Sequence, residues 1–312
     1  MATIEMRVFG RTGLSVSPLG FGGAPIGVLK TEQERVGAML NEMLDAGVNL
    51  IDTAASYSGS EVAIGQAISH RRDEYVLVSK CGQAFEDLPG DPWSEKLILA
   101  TVDRALKRLQ TDHINVMLLH SCELDTLQKG EAIGALVKAR EAGKIRFVGY
   151  SGDNEGVAFA ATHPDIAVVE ASVNFVDHAN IQTLLPLTQE HNVGVIAKRP
   201  IANAAWKPLE QQQGTYKNYA KNYHERFEAT GLTLDDLGLE VDGLDWATVA
   251  LRFTLSQPGV HTAIIGTTNA DNARRNLKAA SQGPLPEHTL QIIAAAFQLA
   301  QAKSGQPWLS LR

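Results

Sequence analysis

The chain has little cysteine: two residues, Cys81 and Cys122, in 312. Two thiols cannot build a disulfide framework, so a reducing compartment is expected. Basic charge is not in excess. Lys and Arg number 28 against 35 Asp and Glu, a net charge of −7, which disfavours non-specific nucleic-acid binding and suits a soluble enzyme acting on small molecules. No apolar run approaches the roughly 20 residues of a membrane span. Met1-Ala2-Thr3-Ile4-Glu5-Met6-Arg7 lacks the basic segment leading into an apolar one that marks a secretory signal. No membrane partner and a cytoplasmic location are therefore expected. Also missing are a Walker loop, a His-Glu-x-x-His motif and a complete dinucleotide fingerprint. Gly20-Phe21-Gly22-Gly23-Ala24-Pro25 begins like the last but has Pro where the third glycine belongs. Cys81, His120 and Cys122 lack metal-ligand spacing, so no metal site is expected.

What is present is a composition, 44% hydrophobic and 20% charged, that can bury a large core. The length suggests two domains at about 150 residues each, yet α/β barrels routinely exceed 200 as one. The pattern decides for the barrel. Residues 48–51, 75–79, 114–119, 145–150, 166–169, 193–197 and 260–265 are short, nearly continuous apolar runs, as parallel strands covered on both faces require. A further strand near Pro18–Phe21 makes eight. Helical periodicity fills the gaps. Thr31 and Glu34 form a capping box ahead of Val36, Met39, Leu40 and Met43, and Gly47 stops that helix. Ser94 caps a helix with Ile98, Val102, Ala105 and Leu109 on one face, and a third carries Ile133, Leu136 and Val137 up to Gly143. No linker composition divides the chain, so residues 1–312 read as a single (β/α)8 TIM barrel.

Two segments depart from the repeat. Residues 6–17 read as an N-terminal β-hairpin turning at Gly10–Gly13 that could plug the barrel's bottom. Residues 199–242 form a long insertion after strand 7, with Tyr216, Tyr219, Tyr223 and Phe227 at helical spacing. Such a stripe is more often a packing face than a ligand box, and the insertion is expected to cover the mouth.

In this architecture the site lies at the C-terminal ends of the strands. The residues following the apolar runs are Asp52, Lys80, His120, Ser151, Glu170 with Asn174, Lys198 and Gly266-Thr267-Thr268. Each also has a purely structural explanation: Asp52 as a helix cap, Lys80 as a surface lysine, His120 as a core histidine. Tyr57 tips the balance, because it lies five residues after Asp52 on the loop leaving the same strand. A free phenol, with pKa about 10, is a poorly matched acid at neutral pH. A nearby ammonium lowers that value, and an aspartate keeps the ammonium charged and placed. A tyrosine so tuned could donate a proton to a carbonyl oxygen.

The segment Gly47-Val48-Asn49-Leu50-Ile51-Asp52-Thr53-Ala54-Ala55-Ser56-Tyr57, followed by Ser60-Glu61 and Gly65, resembles the signature of the aldo-keto reductases. Val78-Ser79-Lys80, Leu118-Leu119-His120, Gly143 to Ser151, Leu251-Arg252-Phe253, Gln257-Pro258-Gly259-Val260 and Ile264 to Asn269 match in order. The opening Gly10–Ser17 resembles the bacterial branch. The resemblance implies reduction of an aldehyde or ketone by hydride from NADP(H), with NAD(H) possible, bound without a Rossmann domain. Asp52, Tyr57, Lys80 and His120 match the family's catalytic tetrad, Tyr57 as acid, Lys80 with Asp52 lowering its pKa, His120 orienting the carbonyl. Cofactor contacts are implied at Gly22, Gly23, Ser151, Gly152, Glu170, Lys198, Arg199, Pro200, Ile201, Asn203, Gly266, Thr267, Thr268, Asn272, Arg275 and Asn276. Glu170 stands where the family has Gln, Gly152 where it has Asn, and Lys198 where many members stack a Tyr. Lys198 and Arg199 would pass near the pyrophosphate, and Arg274 or Arg275 near a 2′-phosphate. Competing functions are a Schiff-base aldolase using Lys80 and a cofactor-bound regulatory subunit. Trp93, Trp206, His178 and Tyr216 are candidates to line the substrate pocket.

Overall fold

Along a strand, successive side chains point to opposite faces, so each apolar run supplies two layers at once. The structure, a computed structural model, describes residues 5–28, 33–211, 216–239 and 244–311. Strands β1 (Arg7–Val8) and β2 (Ser15–Val16) pair antiparallel. The next eight form a closed parallel barrel in chain order: β3 (Leu19–Gly22), β4 (Leu50–Asp52), β5 (Val76–Cys81), β6 (Ile114–His120), β7 (Ile145–Ser151), β8 (Ile166–Ser172), β9 (Gly194–Lys198) and β10 (Thr262–Ile265), the last pairing with β3. This is the (β/α)8 fold expected from the sequence.

The alternation divides the core. Leu50, Val76, Val78, Val116, Leu118, Val168, Ile196 and Ile264 form one buried cluster with Phe9 and Val16 from the hairpin. Their neighbours Ile51, Leu77, Met117, Leu119, Val169, Val195 and Ile265 face the other way, into a larger cluster shared with the helices. The helices dock as their periodicity predicts. Ser94 caps Glu95–Leu109, its side chain accepting from Leu97 N, and that helix buries Ile98, Val102, Ala105 and Leu109. Glu131–Glu141 buries Ile133 and Leu136. Gln33–Asp45 contributes Val36, Met39, Leu40 and Met43, while its expected cap Thr31 lies outside the described residues.

The hairpin closes one end of the barrel. Phe9, wholly buried, packs in the interior cluster, and its ring meets His261 edge-on at 5.7 Å. Arg7 Nη1 donates to Val260 O at 2.7 Å. Gly10 has φ of +53°, and a Cβ there would strike Gly194 N. No other residue fits both that backbone and that gap.

Part of the insertion after β9 packs in a second apolar cluster. Its helix Tyr216–Thr230 buries Tyr223 and Phe227 in a separate cluster with Phe175, Phe253 and Ile293, so the aromatic stripe is a packing face at these positions. The side chains of Tyr216 and Tyr219 are outside the described residues. Among the described residues, no helix is long and apolar enough to cross a membrane.

If Phe9 is part of the core, Phe9→Ala should cost about 3–5 kcal/mol, the usual penalty for emptying a large aromatic site. Urea unfolding would measure it, and a loss under about 1 kcal/mol would make the hairpin a surface ornament.

Candidate active site

The inward positions that are apolar deep in the barrel become polar at its C-terminal rim. Two residues beyond Leu50 comes Asp52, beyond Val78 Lys80, beyond Leu118 His120, beyond Val168 Glu170 and beyond Ile196 Lys198. Strand register sets Lys80 opposite Leu118, His120 opposite Ser151, and Ser151 opposite Glu170. Asp52, Tyr57, His120, Ser151, Glu170 and Lys198 all line one cavity of about 880 Å³.

Lys80 is the hub. Its Nζ lies 2.5 Å from Asp52 Oδ1, 3.2 Å from Glu170 Oε2 and 3.2 Å from the carbonyl oxygen of Thr53. All three charged side chains are buried. Burial opposes a charge on Lys80, but the flanking Asp52 and Glu170 outweigh it and raise its pKa above the usual lysine range. With both carboxylates ionised the cluster holds one negative charge too many. Burial and the neighbouring Glu170 accordingly raise the Asp52 carboxyl well above its ordinary value.

Tyr57 covers this cluster, with Lys80 Nζ 5.2 Å from its ring centroid. The sequence led us to expect a phenol acidified by Lys80. Lys80 does pull the pKa down, but burial pushes it up more strongly and Asp52 and Glu170 add to the rise, so the hydroxyl stands at about 12. His120 meets the Tyr57 ring edge-on, centroids 5.9 Å apart at 88°. Burial, then Lys80 and Lys198, lower its pKa to about 3, so the imidazole is neutral. Ser56 Oγ lies 3.3 Å from His120 Nδ1. If Ser56 donates there, Nε2 carries the proton and His120 is a hydrogen-bond donor.

The other expected residues divide into two groups. Gly22, Gly152, Arg199, Pro200, Ile201, Asn203, Gly266, Thr267, Thr268 and Asn272 also border the cavity, whereas Gly23, Arg275 and Asn276 do not. Gly23 is a packing position, since a Cβ there would lie 2.7 Å from Ser60 Oγ. Lys198 pairs with Asp153 at 3.0 Å, and Arg199 Nη1 donates to Leu311 O at 2.5 Å. Arg199, Ala202, Asn203 and Ala204 all have positive φ without being glycine, a concentration of backbone strain typical of functional loops. Arg274 is engaged by Glu42 at 2.6 Å and Asp271 at 2.9 Å, while Arg275 bonds Asn272 Oδ1.

Trp93, Trp206 and His178 are not on the cavity. His178 is stacked on Phe297, centroids 3.9 Å apart, and Trp206 packs against Phe175. Sequence reading missed Ser56, Gln83, Ser121 and Asp153, which do line it. Asp153 sits two residues beyond Ser151, so following the strand parity one step further would have found it. Cys81 and Cys122 are buried thiols of the outer apolar cluster. Among the described residues no three His, Cys, Asp or Glu side chains are placed to hold a metal ion.

An anionic dinucleotide fits this donor set. The volume is within the range of cofactor sites, hydroxyl and amide groups of Ser151, Asn203, Thr267, Thr268 and Asn272 border it, and the helix Ala270–Ser281 begins at its rim. The Aldo/keto reductase family model matches residues 18–297. The chain belongs to the aldo/keto reductase family. As such it is an NAD(P)H-dependent oxidoreductase. It is 27% identical over 300 residues to the uncharacterized oxidoreductase YqkF of Bacillus subtilis, covering 93% of this chain and 95% of that one. It is 26% identical over 296 residues to L-galactose dehydrogenase of Arabidopsis thaliana, covering 90% of each. Among solved structures, the holo form of aldo-keto reductase AKR11C1 from Bacillus halodurans superposes with a TM-score of 0.79 at 26% identity, over 94% of this chain and 96% of that one.

Removing the central cation should be costly. Lys80→Met leaves two buried carboxylates facing each other, and breaking a buried pair on one side costs about 3–5 kcal/mol. A carboxyl whose native pKa is raised binds protons more readily folded than unfolded, so stability falls as pH rises through that native value. The Lys80→Met penalty should therefore be largest at pH 8 and shrink toward pH 5 in chemical denaturation. A penalty independent of pH would mean that the two carboxylates do not share one charge.

Proposed function

We propose that this oxidoreductase reduces a small aldehyde or ketone to the alcohol with NADPH, Tyr57 acting as general acid. One observation carries the reading: Lys80, paired with Asp52, lies 5.2 Å from the Tyr57 ring centroid, and a neutral His120 meets that ring edge-on in the cavity that Asp52, Tyr57 and His120 line together. The nicotinamide, when bound, supplies hydride to the carbonyl carbon. Tyr57, its pKa pushed up to about 12, stays protonated throughout the physiological range and gives its proton to the carbonyl oxygen as charge develops there. The alkoxide is a far stronger base than a phenolate, so this transfer runs downhill despite the raised pKa. His120 holds the oxygen in line from Nε2, and its neutrality prevents it from competing as the acid. Lys80 stabilises the phenolate left behind. The same environment disfavours a Schiff-base aldolase, since a lysine flanked by two carboxylates keeps its proton and cannot attack a carbonyl.

Ser151, Gly152 and Glu170 would hold the nicotinamide end, Lys198 and the strained 199–204 loop the pyrophosphate, and Gly22 with Gly266–Asn272 the adenosine end. Both cations already have partners, Lys198 in Asp153 and Arg199 in Leu311 O, and both border the cavity where the pyrophosphate would lie. For a 2′-phosphate Arg275 is favoured over Arg274, because Arg274 is already held by two carboxylates whereas Arg275 contacts only the amide of cavity-lining Asn272 among its described bonds.

Tyr57→Phe deletes only the hydroxyl. It should lower the rate of carbonyl reduction by about 10²–10⁴ and leave cofactor affinity within a few-fold, measured by NADPH absorbance and by cofactor titration. Retention of half the wild-type kcat, with chemistry rate-limiting, would remove Tyr57 from its role. Arg275→Ala should weaken NADPH binding by about tenfold or more, the worth of one charge-assisted contact, and hardly change NADH binding. Equal wild-type affinity for the two cofactors would instead mark neutral Thr268 as the sign of a relaxed site.

A further inference from the structure

Residues 308–311 follow the helix Glu287–Ser304 without secondary structure of their own, yet side chains from elsewhere hold their backbone almost atom by atom. Arg226 Nη2 donates to Leu309 O at 2.6 Å. Asn154 brackets Ser310: its Oδ1 accepts from Ser310 N and its Nδ2 donates to Ser310 O, both at 3.0 Å. Leu311 N donates to Asp177 Oδ2 at 3.0 Å, and Leu311 O accepts from Arg199 Nη1 at 2.5 Å. Ser310 Oγ adds a bond to Asp177 Oδ1 at 2.9 Å. It is the main chain that is gripped, for the Leu309 side chain is 63% exposed.

Two of these anchors belong to loops at the cavity. Arg199 opens the 199–204 loop, which borders the cavity through Pro200, Ile201, Asn203 and Ala204 as well. Asn154 follows Asp153, which borders the cavity and pairs with Lys198 at 3.0 Å. Both anchors have positive φ without being glycine, +54° at Arg199 and +57° at Asn154. Such backbone persists only where its surroundings over-determine it. Behind them stands one carboxylate. Asp177, wholly buried, also accepts from the Tyr223 hydroxyl at 3.1 Å, and the Arg199 guanidinium hydrogen-bonds that same hydroxyl. The two groups that Arg199 grips, Leu311 and Tyr223, are thus both fixed on Asp177.

We infer that Asp177 is a positioning residue for the cofactor: with residues 309–311 as a strap, it fixes Arg199 and so holds the 199–204 loop in the shape that receives a dinucleotide. The inference rests on the reading that places the pyrophosphate at this loop. Asp177 acts through Arg199 and does not itself touch the cofactor. A ligand that binds only the ordered loop has its affinity reduced by the fraction of time the loop is ordered. Cutting the strap therefore weakens cofactor binding and leaves Asp52, Tyr57, Lys80 and His120, carried by β4–β6 and the loop after β4, in place.

The test is a chain ending at Leu309, with Asp177→Asn in the full-length chain as the second variant, which turns one acceptor of the strap into a donor. In cofactor-free protein, amide hydrogen exchange over residues 202–205 reads the loop directly. Ala202 N, Ala204 N and Ala205 N are bonded within it, to Arg199 O, Ile201 O and Ala202 O. Exchange there should quicken about tenfold in both variants, while the amides of β5 and β6 keep their wild-type rates. The Kd for NADPH from fluorescence titration and the KM for NADPH should both rise about tenfold. The kcat for glyceraldehyde at saturating NADPH should stay within about twofold of wild type, since a bound cofactor has already ordered the loop. Wild-type exchange over 202–205 in the shortened chain would overturn the inference. So would exchange quickened equally in β5 and β6, the mark of a fold merely destabilised. Faster exchange confined to the loop, with NADPH affinity unchanged, would overturn it together with the pyrophosphate's placement there. The role of Tyr57 is tested separately by Tyr57→Phe, whose failure would leave these outcomes as they stand.

Discussion

The pleat of the barrel strands governs this molecule. Because alternate side chains point inward, one sequence choice repeated in strand after strand fills the lower barrel with Leu, Val and Ile and crowns it with charge. The polar crown is held in place by a packed floor. Lys80 reaches Asp52 across neighbouring strands and Glu170 across the barrel because Val76, Val78, Leu118 and Val168 below them leave no room for the backbone to relax. Precision at the mouth is inherited from density underneath it.

The same burial that fixes these groups changes their chemistry. An ammonium near a phenol in water would make the phenol a better acid. Inside this rim two carboxylates intervene and desolvation penalises every charged form, so the pKa of Tyr57 moves up while that of His120 moves down. The result is a cavity in which Tyr57 and His120 are neutral beside the charged residues Asp52, Glu170 and Lys198 that share its lining. Neutral donors backed by compensated ions suit work on an uncharged polar group better than on a strong anion.

Much of this was legible in the sequence. The eight apolar runs, the Ser94 cap and the hairpin at residues 6–17 are local signals, and they appear as β3–β10, the helix Glu95–Leu109 and the paired β1 and β2. The rim residues were legible too, because parity within a strand needs no knowledge of the fold beyond its inward face. Burial energetics and side-chain direction were not. Nothing near Arg199 in the chain says that it will bond Leu311, more than a hundred residues later. His178 and Trp206 looked like pocket residues because the aromatic rings that enclose them, Phe297 and Phe175, come from distant segments. The direction of the Tyr57 shift depended on burial, which outweighs the pull of Lys80 and exists only in the folded mouth.

With Phe9 sealing the floor, the barrel is a cul-de-sac. Residues of the 199–204 loop and of Gly266–Asn272 border the cavity at the crown, and the floor beneath it is filled. Through Phe9 and Val16 the hairpin extends, at one end, the same apolar column that carries the charged crown at the other.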